Sequence, residues 1–158
     1  MHDLLSFADV ILKDAPDVSA PMEFATAGNS VDMGEYQAIL AVLVVTDAGT
    51  GSAITMLKGT TATASTALSF TRYFYKADIG TNTWVEGTAT SNTFTTGVAS
   101  TTGIYVVPIT ADMLGADDVY KFVRMNCASA ANATGTLLYI PYNPRWPNDP
   151  ANLVDASS

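Results

Sequence analysis

The run YQAILAVLVV, from Tyr36 to Val45, is apolar at odd and even positions alike from Ala38 onward and ends in β-branched residues. Side chains of a strand alternate between faces, so apolar residues on both parities predict a central strand buried on both faces. The DAGTGS segment that follows, Asp47–Ser52, reads as a turn. SAITMLKG, Ser52–Gly59, then reads as the antiparallel partner of the first strand, with Ile54, Met56 and Lys58 alternating against Thr55 and Leu57.

Further strand signals follow toward the C-terminus. TTATASTA, Thr60–Ala67, is a low-complexity loop. LSFTRYFYKAD predicts a strand with Phe70, Arg72 and Phe74 on one face and Thr71, Tyr73 and Tyr75 on the other. TWVEG, SNTFTTGVAS as far as Gly97, TTGIYVVPI, VYKFVRMNCA and GTLLYIP supply the remaining strands. TADMLGADD interrupts them, with Thr110 placed to cap a single helical turn holding Met113 and Leu114 and Gly115 placed to close it. Roughly eight short strands with turn signals every ~8–12 residues predict an all-β sandwich or barrel. Their uneven connections favour a jelly-roll or Greek-key β-sandwich over a simple meander.

The sandwich is expected over residues 35–141, flanked by extended arms at 1–34 and 142–158. In the first arm, Leu4, Leu5, Phe7, Ala8, Ile11 and Leu12 fall near a helical period, while Ala8, Val10 and Leu12 also alternate as a strand would. Asp14–Gly34, punctuated by Pro16, Pro21, Gly28 and Gly34, reads as extended chain lying on a surface. At the other end PYNPRWPNDP places prolines at 141, 144, 147 and 150, the three-residue period of polyproline II. Proline lacks a backbone donor, so this stretch is expected to stay out of any sheet. Tyr142, Arg145 and Trp146 are residue types enriched where proteins grip one another, and Pro144 and Pro147 stiffen the segment between them. These five are the candidate partner-binding residues. The arm either docks on a neighbour or straps back over its own domain.

Composition narrows the function. Only 14% of the 158 residues are charged, against about 25% in an ordinary domain, which suits a surface largely covered by partners. The net charge of −8, with seven scattered basic residues, argues against nucleic-acid binding. The longest apolar run, Ala38–Val45, is too short to span a bilayer, and the N-terminal stretch lacks the basic start of a signal peptide. Cys127 is the single cysteine, expected to be a buried strand residue, and excludes an internal disulfide.

Catalysis finds little support. The single histidine, His2, sits next to the chain start, which leaves Ser/His and Cys/His arrangements without a base. Glu86 beside Trp84 could serve a paired-carboxylate mechanism, but the acidic residues fall at strand ends and turns where solvation explains them. Gly49 and Gly51 lie in a turn without a following helix to bind phosphate, and GADD and PNDP offer only fragments of a calcium loop. No catalytic, metal or cofactor-binding residue is therefore assigned. A carbohydrate-binding module stays as an alternative, using Trp84, Tyr73, Tyr75, Tyr105 or Tyr139 as stacking faces.

EYQAILAVLVVTDAGTGSAITMLKGT, then TTGIYVVPITADMLGADDVYKFVRMNCASA with its capped turn, then TGTLLYIPYNPRW, form an order of elements spanning roughly Gly34 to Trp146. That order resembles the small jelly-roll cement, or decoration, proteins on the capsids of tailed bacteriophages. The resemblance implies no enzyme activity and no cofactor. It implies a virion protein on the outer capsid surface, a dimer or trimer of itself, clamping neighbouring major capsid subunits. A tail or baseplate subunit would make the same fold.

Overall fold

A computed structural model describes residues 11–12, 30–34, 36–47, 51–80, 83–97, 102–115, 119–127 and 133–144. The strands are β1 (Ile11–Leu12), β2 (Ser30–Asp32), β3 (Tyr36–Asp47), β4 (Ala53–Gly59), β5 (Thr66–Ala67), β6 (Arg72–Lys76), β7 (Val85–Thr88), β8 (Thr93–Thr95), β9 (Thr102–Thr110), β10 (Phe122–Asn126) and β11 (Ala133–Pro144). They form two antiparallel sheets packed face to face, an all-β sandwich. Sheet A runs β1-β11-β3-β9-β6-β7, and sheet B runs β2-β10-β4, with β5 and β8 both paired to β4.

β3 is the centre of sheet A, paired over most of its length with β11 on one edge and β9 on the other. Its odd positions, Ile39, Ala41, Leu43 and Val45, are buried, and they meet Ile54 and Met56 of β4 and Val123 and Met125 of β10 in one core. Its even positions Leu40, Val42 and Val44 point the other way and are only half-buried. The expected burial on both faces is thus met on one.

The pairing expected between β3 and β4 does not occur. β4 lies in the opposite sheet, paired with β10 through Thr55–Gly59. Both edges of β3 are occupied by longer apolar partners, so the chain leaves sheet A at Asp47 and enters sheet B at Ala53 instead of closing a hairpin. The entry into sheet B is pinned where the Ser52 N–H donates to Thr96 Oγ1 at 2.7 Å and the Thr96 N–H donates to the Ser52 carbonyl at 3.0 Å. Lys58 does share the inward face of Ile54 and Met56. Its ammonium donates to the Leu114 carbonyl at 2.8 Å and stands 4.6 Å from the Tyr120 ring centroid, so the charge closes one end of the core with a satisfied donor.

The turn expected after Thr110 is a 3-10 helix, Ala111–Leu114, with Leu114 buried. The Thr110 N–H donates to Met113 Sδ at 3.4 Å, and Gly115 closes the turn at φ 113°, a conformation only glycine adopts readily. Cys127 is buried, one residue past β10.

Three expectations about chain segments change. Phe70 does not share a face with Phe74, because the strand begins only at Arg72; Phe70 is buried against Phe94 with the rings edge to face at 6.3 Å. Pro141 and Pro144 do not keep out of the sheet, since β11 continues to Pro144, with Pro141 opposite Ile39, Tyr142 opposite Ala38 and Pro144 opposite Tyr36. Pro147 and Pro150 lie outside the described residues. An extended strand already has a φ that proline tolerates, and the missing donor matters only where a neighbour waits for it. β1 pairs with Leu138 and Tyr139 alone, so among the described residues the far edge of β11 is open at Pro141. The sandwich also begins earlier than residue 35, because β2 pairs with β10. In the first arm, Ile11 and Leu12 are strand, paired with Tyr139 and Leu138, and the helix-or-strand question for residues 3–10 lies outside the described residues.

Candidate interaction surface

The outer face of sheet A carries the features that the fold does not use. Strand register brings its side chains into rows that run across the sheet. Glu86, Phe74, Val106, Val42 and Leu138 are successive cross-strand partners from β7 to β11. Beside them run Lys76, Ile104, Val44 and Thr136, and on the other flank Pro108, Leu40 and Ile140. Between β6 and β11 the field is aliphatic apart from Phe74 and the flanking Thr136 and Lys76. Phe74 is 37% exposed, and the aliphatic side chains are half-buried. β9 and β11 contain no charged residue at all, and β3 has only Asp47 at its end.

Charge gathers at the β6–β7 margin. Arg72 and Glu86 lie diagonally across the pair at 3.7 Å, both well exposed, a geometry that adds little stability in water. Lys76 Nζ lies 5.3 Å from the ring centroid of Trp84, which is 49% exposed. Beyond the Ile104–Val44 row the field closes on hydroxyls, Thr46 Oγ1 and Thr102 Oγ1 at 2.9 Å.

Beneath that margin, the inner side of β6 is aromatic. Tyr73 stacks on Phe94 at 4.5 Å, and Tyr75 on Tyr105 at 5.7 Å with the rings 7° apart. The Tyr105 hydroxyl accepts the Gly97 N–H at 2.6 Å. Tyr73 lies directly under β7, where a Cβ on Gly87 would fall 2.3 Å from the ring carbon Cζ; glycine lets the edge strand close onto the ring. Burial, with Tyr75 and Tyr105 as lesser contributions, raises the Tyr73 phenol above its ordinary pKa. Tyr139 ties the two sheets together: fully buried, its hydroxyl accepts the Met125 N–H at 2.7 Å. Burial pushes this phenol far above the usual tyrosine range, only partly offset by the Met125 hydrogen bond and the Arg124 charge.

The aromatic residues considered for sugar stacking are thereby sorted. Tyr139 and Tyr105 are core residues, Tyr73 and Tyr75 are half-buried in the aromatic cluster, and Trp84 alone offers an open face. Glu86 is engaged with Arg72. Of the candidate arm residues, Tyr142 is half-buried in β11 and Pro144 ends that strand, while Arg145, Trp146 and Pro147 lie outside the described residues. Among the described residues no group of three or more His, Cys, Asp and Glu is placed to hold a metal ion, and no helix is long and apolar enough to cross a membrane. The sheet A surface was not identified from sequence as a contact surface. Its signal is present in AILAVLVV, IYVVPI and LLYIP, each apolar on both parities, but in AILAVLVV that pattern equally predicts burial on both faces within the domain.

No protein-family model matches the chain, and comparisons with curated proteins and with solved structures return no match.

Proposed function

We propose that this protein is a structural adhesion subunit of a virion, a capsid cement protein that binds outside the shell and stabilises contacts between major capsid subunits. The supporting observation is the outer face of sheet A, where β3, β9 and β11 present an apolar field outside the core that suits protein contact. The assignment to a capsid rests on the resemblance in element order. Net charge of −8 suits a position away from packaged DNA. Binding acts through many repeated modest interfaces, each copy adding its share under the symmetry of the shell.

In the sequence Arg145 and Trp146 follow directly on Pro144, the last residue in the ladder. Arg145 supplies a forked donor and Trp146 a large apolar anchor. The test is addition of purified protein to empty shells of a tailed bacteriophage, counting bound copies by electron microscopy and following shell melting. A chain ending at Pro144 keeps the whole of β11 and is expected to bind at least tenfold more weakly. Full occupancy by that truncated chain would remove the arm from the mechanism, and no binding by the intact chain would reject the capsid reading. Mass spectrometry of separated heads and tails distinguishes a tail or baseplate subunit.

Exposed Trp84 supports a second reading, a carbohydrate-binding sandwich. Glycan-array binding that Trp84→Ala abolishes would favour it over the first.

A further inference from the structure

We propose that the outer face of sheet A is the seat of a second copy of this chain, joined face to face about a two-fold axis. The proposal deepens the adhesion reading by naming the partner of its main surface. The field is built from the middle of the sheet outward: Leu40, Val42 and Val44 at its centre, Val106 and Leu138 on either side, Phe74 at its margin. Both parities of β3, β9 and β11 are apolar, which is the composition of a strand between two packed layers, and only one layer lies within the described residues. Interfaces between copies that stay together resemble a domain core cut in half, and this face has that character.

Area and charge both favour a second copy. At ~4.8 Å between strands, the four strands from β6 to β11 give an apolar field on the order of 400 Å² in projection. With β7, β1 and the strand ends, the face reaches about 700 Å² at that spacing, near the ~800 Å² each partner contributes to a stable interface. Two chains of net charge −8 repel, so they pair best where acid is absent. Among the described residues the charged side chains placed on this face by register are Arg72, Lys76 and Glu86, two basic and one acidic, a local balance of +1 in an acidic protein. The outer side of sheet B is less suited, with Asp32, Thr55, Arg124 and Asn126 set around Leu57 and Phe122. A self-complementary face also needs no second matching patch, whereas head-to-tail assembly does.

The test is sedimentation equilibrium of the full chain over a concentration series, alongside Val42→Glu and Val106→Glu. Both positions lie on the outer face, so the core is untouched. The expected result is a discrete wild-type dimer and monomeric variants with wild-type circular dichroism. Should the charged variants fail to fold, Val42→Thr, nearly isosteric, is read instead, with a dissociation constant raised tenfold or more. A wild-type monomer at every concentration would overturn the proposal, and the face would then be covered by the chain's own arms or by another protein. Association that these substitutions leave unchanged would overturn it as well. A dimer that ignores capsid shells sinks the capsid reading and leaves this inference standing; a monomer that coats them does the reverse.

Discussion

Tyr139 shows how one side chain joins the layers. Its ring is part of the inner face of β11, and its hydroxyl reaches across to the backbone of β10, accepting the Met125 N–H. Tyr139→Phe leaves that buried donor without its partner, so a loss of about 1–3 kcal/mol is expected in urea unfolding. The raised pKa adds a pH dependence. The unfolded chain loses the phenolic proton near pH ~10, before the folded protein does, so the contribution is whole below that pH and declines above it. Stability should fall by up to ~1.4 kcal/mol per pH unit above pH ~10, and Tyr139→Phe should flatten most of that slope, leaving the smaller part from Tyr73. Gly87 makes a local prediction of another kind. An alanine methyl there collides with a ring carbon of Tyr73, so Gly87→Ala is expected to cost roughly 1–3 kcal/mol through displacement of ring or strand. If the collision is the cause, Gly87→Ala combined with Tyr73→Leu costs less than the sum of the two, which a double-mutant cycle measures.

At the scale of elements, β3 allows its two faces to be tested against each other. Leu43→Ala empties part of the core and should lower stability by about 2–5 kcal/mol whatever the protein concentration. Leu40→Ala, on the outer face, should cost less in dilute protein and more where copies associate, so its effect should grow with concentration in thermal unfolding. The strands themselves were legible: short apolar, β-branched runs mark β3, β9 and β11 in the sequence, a period of two marks β4 and β10, and the 3-10 turn is marked by Thr110 and Gly115. Partnership was not. DAGTGS carries the same turn residues whether it closes a hairpin or bends between sheets, and the competition for the edges of β3 decides between them. Pro141 and Pro144 misled for a related reason, since what proline costs a strand depends on the neighbour it faces, and sequence does not name that neighbour.

Across the whole molecule, an interface built on apolar contact responds to salt in the opposite sense to an ionic one. Raising ionic strength screens the repulsion between two acidic chains while leaving the apolar field in place, so dimer affinity should rise severalfold, as read by sedimentation. A contact resting on Arg72 or Glu86 would weaken instead. The candidate surface was half legible: the apolar runs were evident, and the scarcity of charge pointed to covered surface, but neither told which side of a strand its own domain would leave open. By itself the sequence determined that the chain forms strands, where they run, and that it is poor in charge, because alternation and composition are local properties of the backbone and side chains. Only the tertiary structure decided which strands pair, which parity turns inward and that sheet A keeps an apolar outer face. Those outcomes come from edges and faces distant in sequence competing to be buried, and among the described residues one side of the central sheet is covered by sheet B.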